Sequence, residues 1–220
     1  MALPAPPDDG GPRYHGVYPA IVTNIVDPDN QGRVEVKFPW LTSEGEQGVR
    51  GWARLCSPYA DNEQGFQVMP GVGSEVIVAF GAGVFECPFI VASVWNGKEK
   101  MPTQPKKPND IRLIRTRADS RLEFDDGKPP KVSLKMKSGH KVVLDDAAQE
   151  VLIEHASGCS ITLTPMTIEI RANIAMNVTA PMVNVDAAVS TFSGIVKATN
   201  VIADAFVLSP GYSPGVGNLL

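Results

Sequence analysis

The stretch from Met166 to Met182 alternates strictly. One parity carries Met166, Ile168, Ile170, Ala172, Ile174, Met176, Val178, Ala180 and Met182; the other carries Thr167, Glu169, Arg171, Asn173, Ala175, Asn177, Thr179 and Pro181. Period two predicts a β-strand with one apolar and one wet face. Ordinary strands run to about 5–6 residues, and this pattern is roughly three times as long with no turn dipeptide inside it. A lone strand of that length exposes an unpaired edge and an apolar stripe, both invitations to aggregate. The simplest remedy is for several chains, most simply three, to wind into a β-prism around a shared axis. The side chains expected at that trimer core are Ile161, Leu163, Met166, Ile168, Ile170, Ile174, Met176 and Val178.

The rest of the 220-residue chain is read as all-β. Its 20 glycines and 19 prolines punctuate many short segments, and almost none of these carries a 3.6-residue apolar period. With 43% hydrophobic and 20% charged residues the chain is globular. A formal charge of −4 argues against a nucleic-acid partner, whose phosphates are met by Lys and Arg. Cys56, Cys87 and Cys159 are an odd, scattered set without CxxC spacing and are expected to be buried free thiols. Residues Met1–Arg13 are rich in Pro, Asp and Gly and lack the apolar centre of a signal peptide, so synthesis and assembly in the cytoplasm are expected.

Four regions follow in order: a flexible arm (1–13), a barrel domain (14–97), a linker (98–110) and a needle domain (111–220). In the barrel region, strands are expected around Val17–Val22, Arg33–Phe38, Trp52–Leu55, Glu75–Phe80 and Pro88–Trp95. Five strands in about 80 residues suit a closed barrel of the OB type. The linker, KEKMPTQPKKPND, holds three prolines, four lysines and no apolar pattern. Short strands resume at Ile111–Arg117, Arg121–Phe124, Lys131–Met136, Lys141–Leu144, Val151–Ile153 and Ser160–Leu163, separated by turns at Asp125-Asp126-Gly127, Asp145-Asp146 and Ser157-Gly158.

Several features invite a chemical reading, but each has a simpler structural one. The pairs Asp125/Asp126 and Asp145/Asp146 are adjacent in sequence, whereas paired catalytic carboxylates face one another across a cleft of about 5–10 Å. They are read as turn formers. His140 has no Ser or Cys nucleophile motif beside it and is read as a stacked turn residue. His155 shares the parity of Val151 and Ile153, as an interior or interface histidine does. Phe38, Trp40, Trp52, Tyr59 and Phe66 could stack bases, but no basic stripe accompanies them, so core packing or trimer contact is expected. No catalytic, cofactor-binding or metal-binding residue is assigned.

Several ordered blocks resemble the phage baseplate central spike (baseplate assembly protein V) and the VgrG spike of contractile injection machines. They are DPDNQGRVEVKFPW (27–40), GWARL (51–55), MPGVGSEVIVAF (69–80), PFIVASVWNG (88–97) and KSGHKVVLDD (137–146). The resemblance implies an N-terminal OB-fold barrel followed by an intertwined trimeric β-helix or β-prism needle. It implies a structural homotrimer, not an enzyme, that attaches to a trimeric hub protein and punctures the target cell envelope within a virion tail or extracellular particle. The ending SPGVGNLL resembles blunt needles capped by a PAAR-repeat tip protein, with Asn218, Leu219 and Leu220 as the docking platform. No lysozyme-like insertion interrupts the linker, and no His-x-His pair suggests a tip metal. The competing classes are an OB-fold module binding nucleic acid or glycan, and a peptidoglycan-degrading spike enzyme.

Overall fold

The computed structural model describes residues 12–41 and 48–204 and divides the chain into two units, 1–173 and 174–220. All regular elements of the first unit are strands apart from one single-turn 3-10 helix at Gly81–Gly83.

The barrel is built from β1 (Val17–Asn24), β2 (Arg33–Lys37) and β3 (Arg50–Leu55), then β6 (Glu75–Phe80) and β7 (Pro88–Ser93). The sheet closes in the order β1-β2-β3-β7-β6. Antiparallel ladders join all neighbours except β3 and β7, which pair in parallel through Arg54–Phe89 and Leu55–Ile90. Between β3 and β6 a small hairpin of β4 (Ala60–Asp61) and β5 (Gln64–Gly65) stands apart from the barrel sheet. Alternation decides what points inward. Val34 and Val36 of β2 are fully buried, as are Val76 and Val78 of β6, while the residues between them are only half-buried. Register breaks between Val22 and Asn24 and between Ile77 and Val78 supply the bends that closing a barrel needs. The tight turn before β6 requires Gly73, whose φ of +92° is closed to most side chains and whose N–H donates to the Val22 carbonyl at 2.8 Å.

One end of the barrel is plugged by rings. Phe38 lies wholly buried, with ring centroids 5.8, 5.6 and 5.2 Å from Trp40, Phe80 and Phe85. Trp40 stacks on Tyr18 and its indole N–H donates to the Pro19 carbonyl at 3.0 Å. These two aromatics pack as expected, and Trp52 lies beneath the Arg33 guanidinium. Tyr59 and Phe66 lie outside the barrel core. They are 52% and 54% exposed, because the β4–β5 hairpin that carries them is not covered by the barrel wall.

The β1–β2 turn is organised by a single carboxylate. Asp27 accepts the backbone N–H groups of Asp29, Gln31 and Arg33 and a two-pronged contact from the Arg33 guanidinium. The Arg33 guanidinium first, and then those backbone donors, hold the Asp27 carboxyl far below the usual carboxylate range, against the opposing effect of burial. A depressed carboxylate contributes stability that is complete above its unfolded value near 4 and is lost as pH falls below it. The melting temperature of the barrel is therefore expected to drop between about pH 5 and pH 2, and Asp27→Asn to flatten that drop. Near-UV circular dichroism melts follow both; an unchanged acid limb in the variant rejects the assignment.

Residues 98–110 contain no strand, and Lys98, Lys100, Lys106 and Lys107 are exposed. Met101, Pro102 and Pro105 border a hollow with Trp95, Ile111 and Leu113, and the carbonyl of Asn109 accepts from Arg112 at 2.6 Å.

Next comes a seven-stranded antiparallel meander of short strands. In chain order these are β8 (Ile111–Arg115), β9 (Arg121–Asp125), β10 (Lys131–Lys135), β11 (Lys141–Asp145), β12 (Glu150–Glu154), β13 (Ser160–Leu163) and β14 (Ile168–Arg171). Each strand pairs with the next in sequence without a register break. The acid pairs are turn formers here: Asp125 accepts from the Gly127 N–H, and Asp145 from those of Ala147 and Ala148.

The single long strand read from Met166 to Met182 is not formed within one chain. Only Ile168–Arg171 is in a strand, and residues 174–204 of the second unit contain none. A strand is held by ladder bonds to a neighbour, and no neighbour from this chain pairs with those residues. The thiols also differ from expectation. All three cysteines are free, but Cys56 is exposed and Cys87 and Cys159 are half-buried, because Cys56 follows the last residue of β3 and Cys159 precedes β13 in a turn.

Candidate functional site

The meander has two unlike faces. Because its registers are unbroken, side chains of one parity line up across all seven strands. One row runs Arg112, Phe124, Val132, Leu144, Val151, Leu163, Ile168; the next runs Ile114, Leu122, Leu134, Val142, Ile153, Ile161, Ile170. Arg112 is the only polar member of either. Among the described residues of the first unit nothing covers this face. Ile114 is 55% exposed, Leu134 49%, Ile153 47% and Ile168 72%. Contiguous apolar surface on this scale marks an interaction site.

The opposite face is polar at the strand ends and holds its charges in pairs. Lys131 of β10 pairs with Asp145 of β11, which lowers the aspartate and raises the lysine from their ordinary values. Lys141 meets Glu154 at 3.1 Å, and Arg171 meets Glu169 at 2.8 Å. Asp119, in the β8–β9 turn, receives both Arg121 and Arg115, which hold its carboxyl low. Exposed pairs of this kind contribute little stability each, about 0–1 kcal/mol. Between these pairs the middle of that face is the more covered one, with Ser133 buried and Val143 and Leu152 half-buried.

Four of the residues expected at a shared axis, Ile161, Leu163, Ile168 and Ile170, stand on the apolar face. Met166 does not. It lies 90% exposed in the turn between β13 and β14, where Thr164 and Thr167 bond to each other and break the alternation. Ile174, Met176 and Val178 belong to the second unit and are exposed there, Ile174 at 99%. Asn218, Leu219 and Leu220 lie outside the described residues. Sequence reasoning missed most of the face. Val132 with Leu134, Val142 with Leu144, and Val151 with Ile153 each show the same short alternation, and that repeated pair was the available signal.

At one border of this face the rings of His140 and His155 touch, with centroids 4.3 Å apart and planes tilted by 52°, and both follow the parity of the apolar rows. Each Nδ1 accepts a backbone N–H from the β12–β13 turn: Ala156 to His140 at 3.2 Å, Ser157 to His155 at 3.1 Å. The pair is thus committed to holding a turn. Among the described residues no group of three or more His, Cys, Asp or Glu is placed to hold a metal ion.

On the barrel, the exposed Tyr59 and Phe66 line a groove with Ile25, Val26, Leu55 and Met69. Among the described residues, the charged ones bordering it are Asp27, Asp61 and Glu63, and no Lys or Arg lines it. That lining repels a phosphate backbone instead of tracking it.

Residues 18–95 match the family described as the type VI secretion system/phage-baseplate injector OB domain. The chain is also 28% identical over 130 residues to the type VI secretion system spike protein VgrG3 of Vibrio cholerae serotype O1, covering 58% of this chain and 12% of that protein. It is 33% identical over 96 residues to the spike protein VgrG4b of Pseudomonas aeruginosa (41% and 12%), and 29% over 104 residues to the actin cross-linking toxin VgrG1 of Vibrio cholerae (44% and 10%). Over residues 18–95 the chain carries an OB domain of the baseplate and VgrG spike type, and it spans only about a tenth of the length of these relatives.

Proposed function

We propose that this protein is the structural central spike of a contractile tail or injection machine. In this reading it is a homotrimer whose stacked sheets close face to face into a needle. The observation that carries the reading is the apolar face of β8–β14: two aligned rows on a single-layer sheet, open to solvent in one chain. Three copies turning that face inward bury it in one step. Burying a single Leu or Ile side chain stabilises by about 1.5–3 kcal/mol, so rows of this length make the assembly hard to open. Ile174, Met176 and Val178 are assigned to a trimer core of their own unit, where neighbouring chains would supply the ladder partners. The barrels form the collar that attaches to a trimeric hub, and the needle punctures the target envelope on contraction. Its chemistry is mechanical. The histidines and acid pairs are occupied in turns, and no catalytic role is assigned to the chain.

The test is mass in solution by light scattering, with an unboiled SDS gel beside it. Three times the 23.5 kDa chain, resisting SDS until heated, is the expected result. A monomer overturns the needle reading and moves the OB binding module forward, with the Tyr59–Phe66 groove as its site. The same reading assigns Asn218, Leu219 and Leu220 to docking a PAAR-repeat tip protein. Deleting Leu219 and Leu220 is expected to leave the mass unchanged and to weaken co-purification of such a tip; undiminished capture rejects that role.

A further inference from the structure

The two ends of the meander's strands carry opposite charge. At one end lie the start of β8 and the turns β9–β10 and β11–β12, with Asp110, Asp125, Asp126, Asp145, Asp146 and Glu150. The bases at that end are Arg112, Lys128 and Lys131; Arg112 is already paired with Asp126 at 3.7 Å and Lys131 with Asp145, which leaves Asp110, Asp125, Asp146 and Glu150 against Lys128. At the other end lie the turns β8–β9 and β10–β11, with Arg115, Arg117, Arg121, Lys135, Lys137 and Lys141. The acids there, Asp119 and Glu154, are already paired with Arg115, Arg121 and Lys141. The acidic end keeps surplus negative charge, and the basic end surplus positive charge.

Within one chain these ends do not neutralise each other. A five-residue strand is about 16 Å long at about 3.3 Å per residue, twice the screening length of about 8 Å at physiological salt. We infer that the two ends are complementary docking edges for further copies of this chain, the acidic edge of one copy lying against the basic edge of the next. This rests on the trimeric reading above and goes beyond it, because it fixes the residues at each corner and the symmetry. A two-fold, isologous contact sets each patch against its own copy and brings like charges together. A cyclic head-to-tail arrangement sets acid against base at every corner, and with three sheets each edge is used once. The apolar rows supply the attraction, and the edges select the rotational order.

The experiment uses the full chain. Wild-type mass is measured first, so a monomer counts against the trimer itself. The heating temperature at which the SDS-resistant trimer gives way is then followed at low and high salt. For the wild type it is expected to fall as salt rises, since screening weakens the corners; a midpoint that rises or stays level overturns the inference without any variant. Reversing the acidic edge (Asp126→Lys, Asp146→Lys, Glu150→Lys) or the basic edge (Arg117→Glu, Lys135→Glu, Lys137→Glu) is expected to lower the low-salt midpoint by roughly 10 °C. Combining all six is expected to restore it to within a few degrees, because every corner is again complementary. Additive loss in the combined variant, or single-edge variants that match a trimeric wild type, overturns it.

Discussion

Replacing Ile161 with aspartate is expected to convert a three-chain particle into single chains. Ile161 sits inside an apolar row, opposite Ile153 on one side and Ile170 on the other. In the proposed needle this position meets its counterparts from two other chains near the axis, so three carboxylates converge with no cation on that face nearby. An unpaired charge in such surroundings costs several kcal/mol, and here the cost is tripled by symmetry. Light scattering reads the result directly as a fall from three times 23.5 kDa to one. The adjacent residue is the control. Thr162 lies on the opposite face beside Glu169, so Thr162→Lys is expected to keep the trimer intact. A stable trimer from Ile161→Asp, or equal loss from both variants, rejects the apolar face as the interface.

Phe38→Ala is expected to carry the largest cost in the barrel. The side chain is fully buried within the cluster of Trp40, Phe80 and Phe85. Removing a buried ring forfeits its transfer energy and leaves a cavity the barrel wall cannot collapse to fill, together about 3–5 kcal/mol. For a domain of this size that lowers the melting temperature by roughly 15–30 °C. Indole fluorescence from Trp40 and Trp52 follows the barrel, while mass follows the needle. The barrel is expected to melt early in a particle that remains trimeric. A melting shift of only a degree or two rejects the ring cluster as the barrel's core.

Much of this architecture was legible in the chain. Val34, Val36 and Phe38, or Val76, Val78 and Phe80, alternate so cleanly that strand and inward face follow from side-chain geometry alone. The meander strands were equally readable, because acids and glycines that form turns separate each short apolar pair. The aromatic residues were read less well. Phe38 and Tyr59 look alike in sequence, and only the position of the β4–β5 hairpin outside the wall separates a buried ring from an exposed one.

Alternation states that a segment has an apolar face; it does not state what covers that face. The sequence by itself determined the all-β class, the five barrel strands, the turn-forming role of Asp125 and Asp145, and the parity of Ile168 and Ile170. Only the tertiary structure decided that the two apolar-face positions of each strand join those of its six companions. That needs the registers pairing Val132 with Leu144 and Leu134 with Val142, which hydrogen-bond ladders set across the turns. It also decided that Met166 falls in a turn and that the pattern beyond Arg171 finds no strand partner among the described residues. A ladder is a property of two strands, and one strand's sequence carries only half of it.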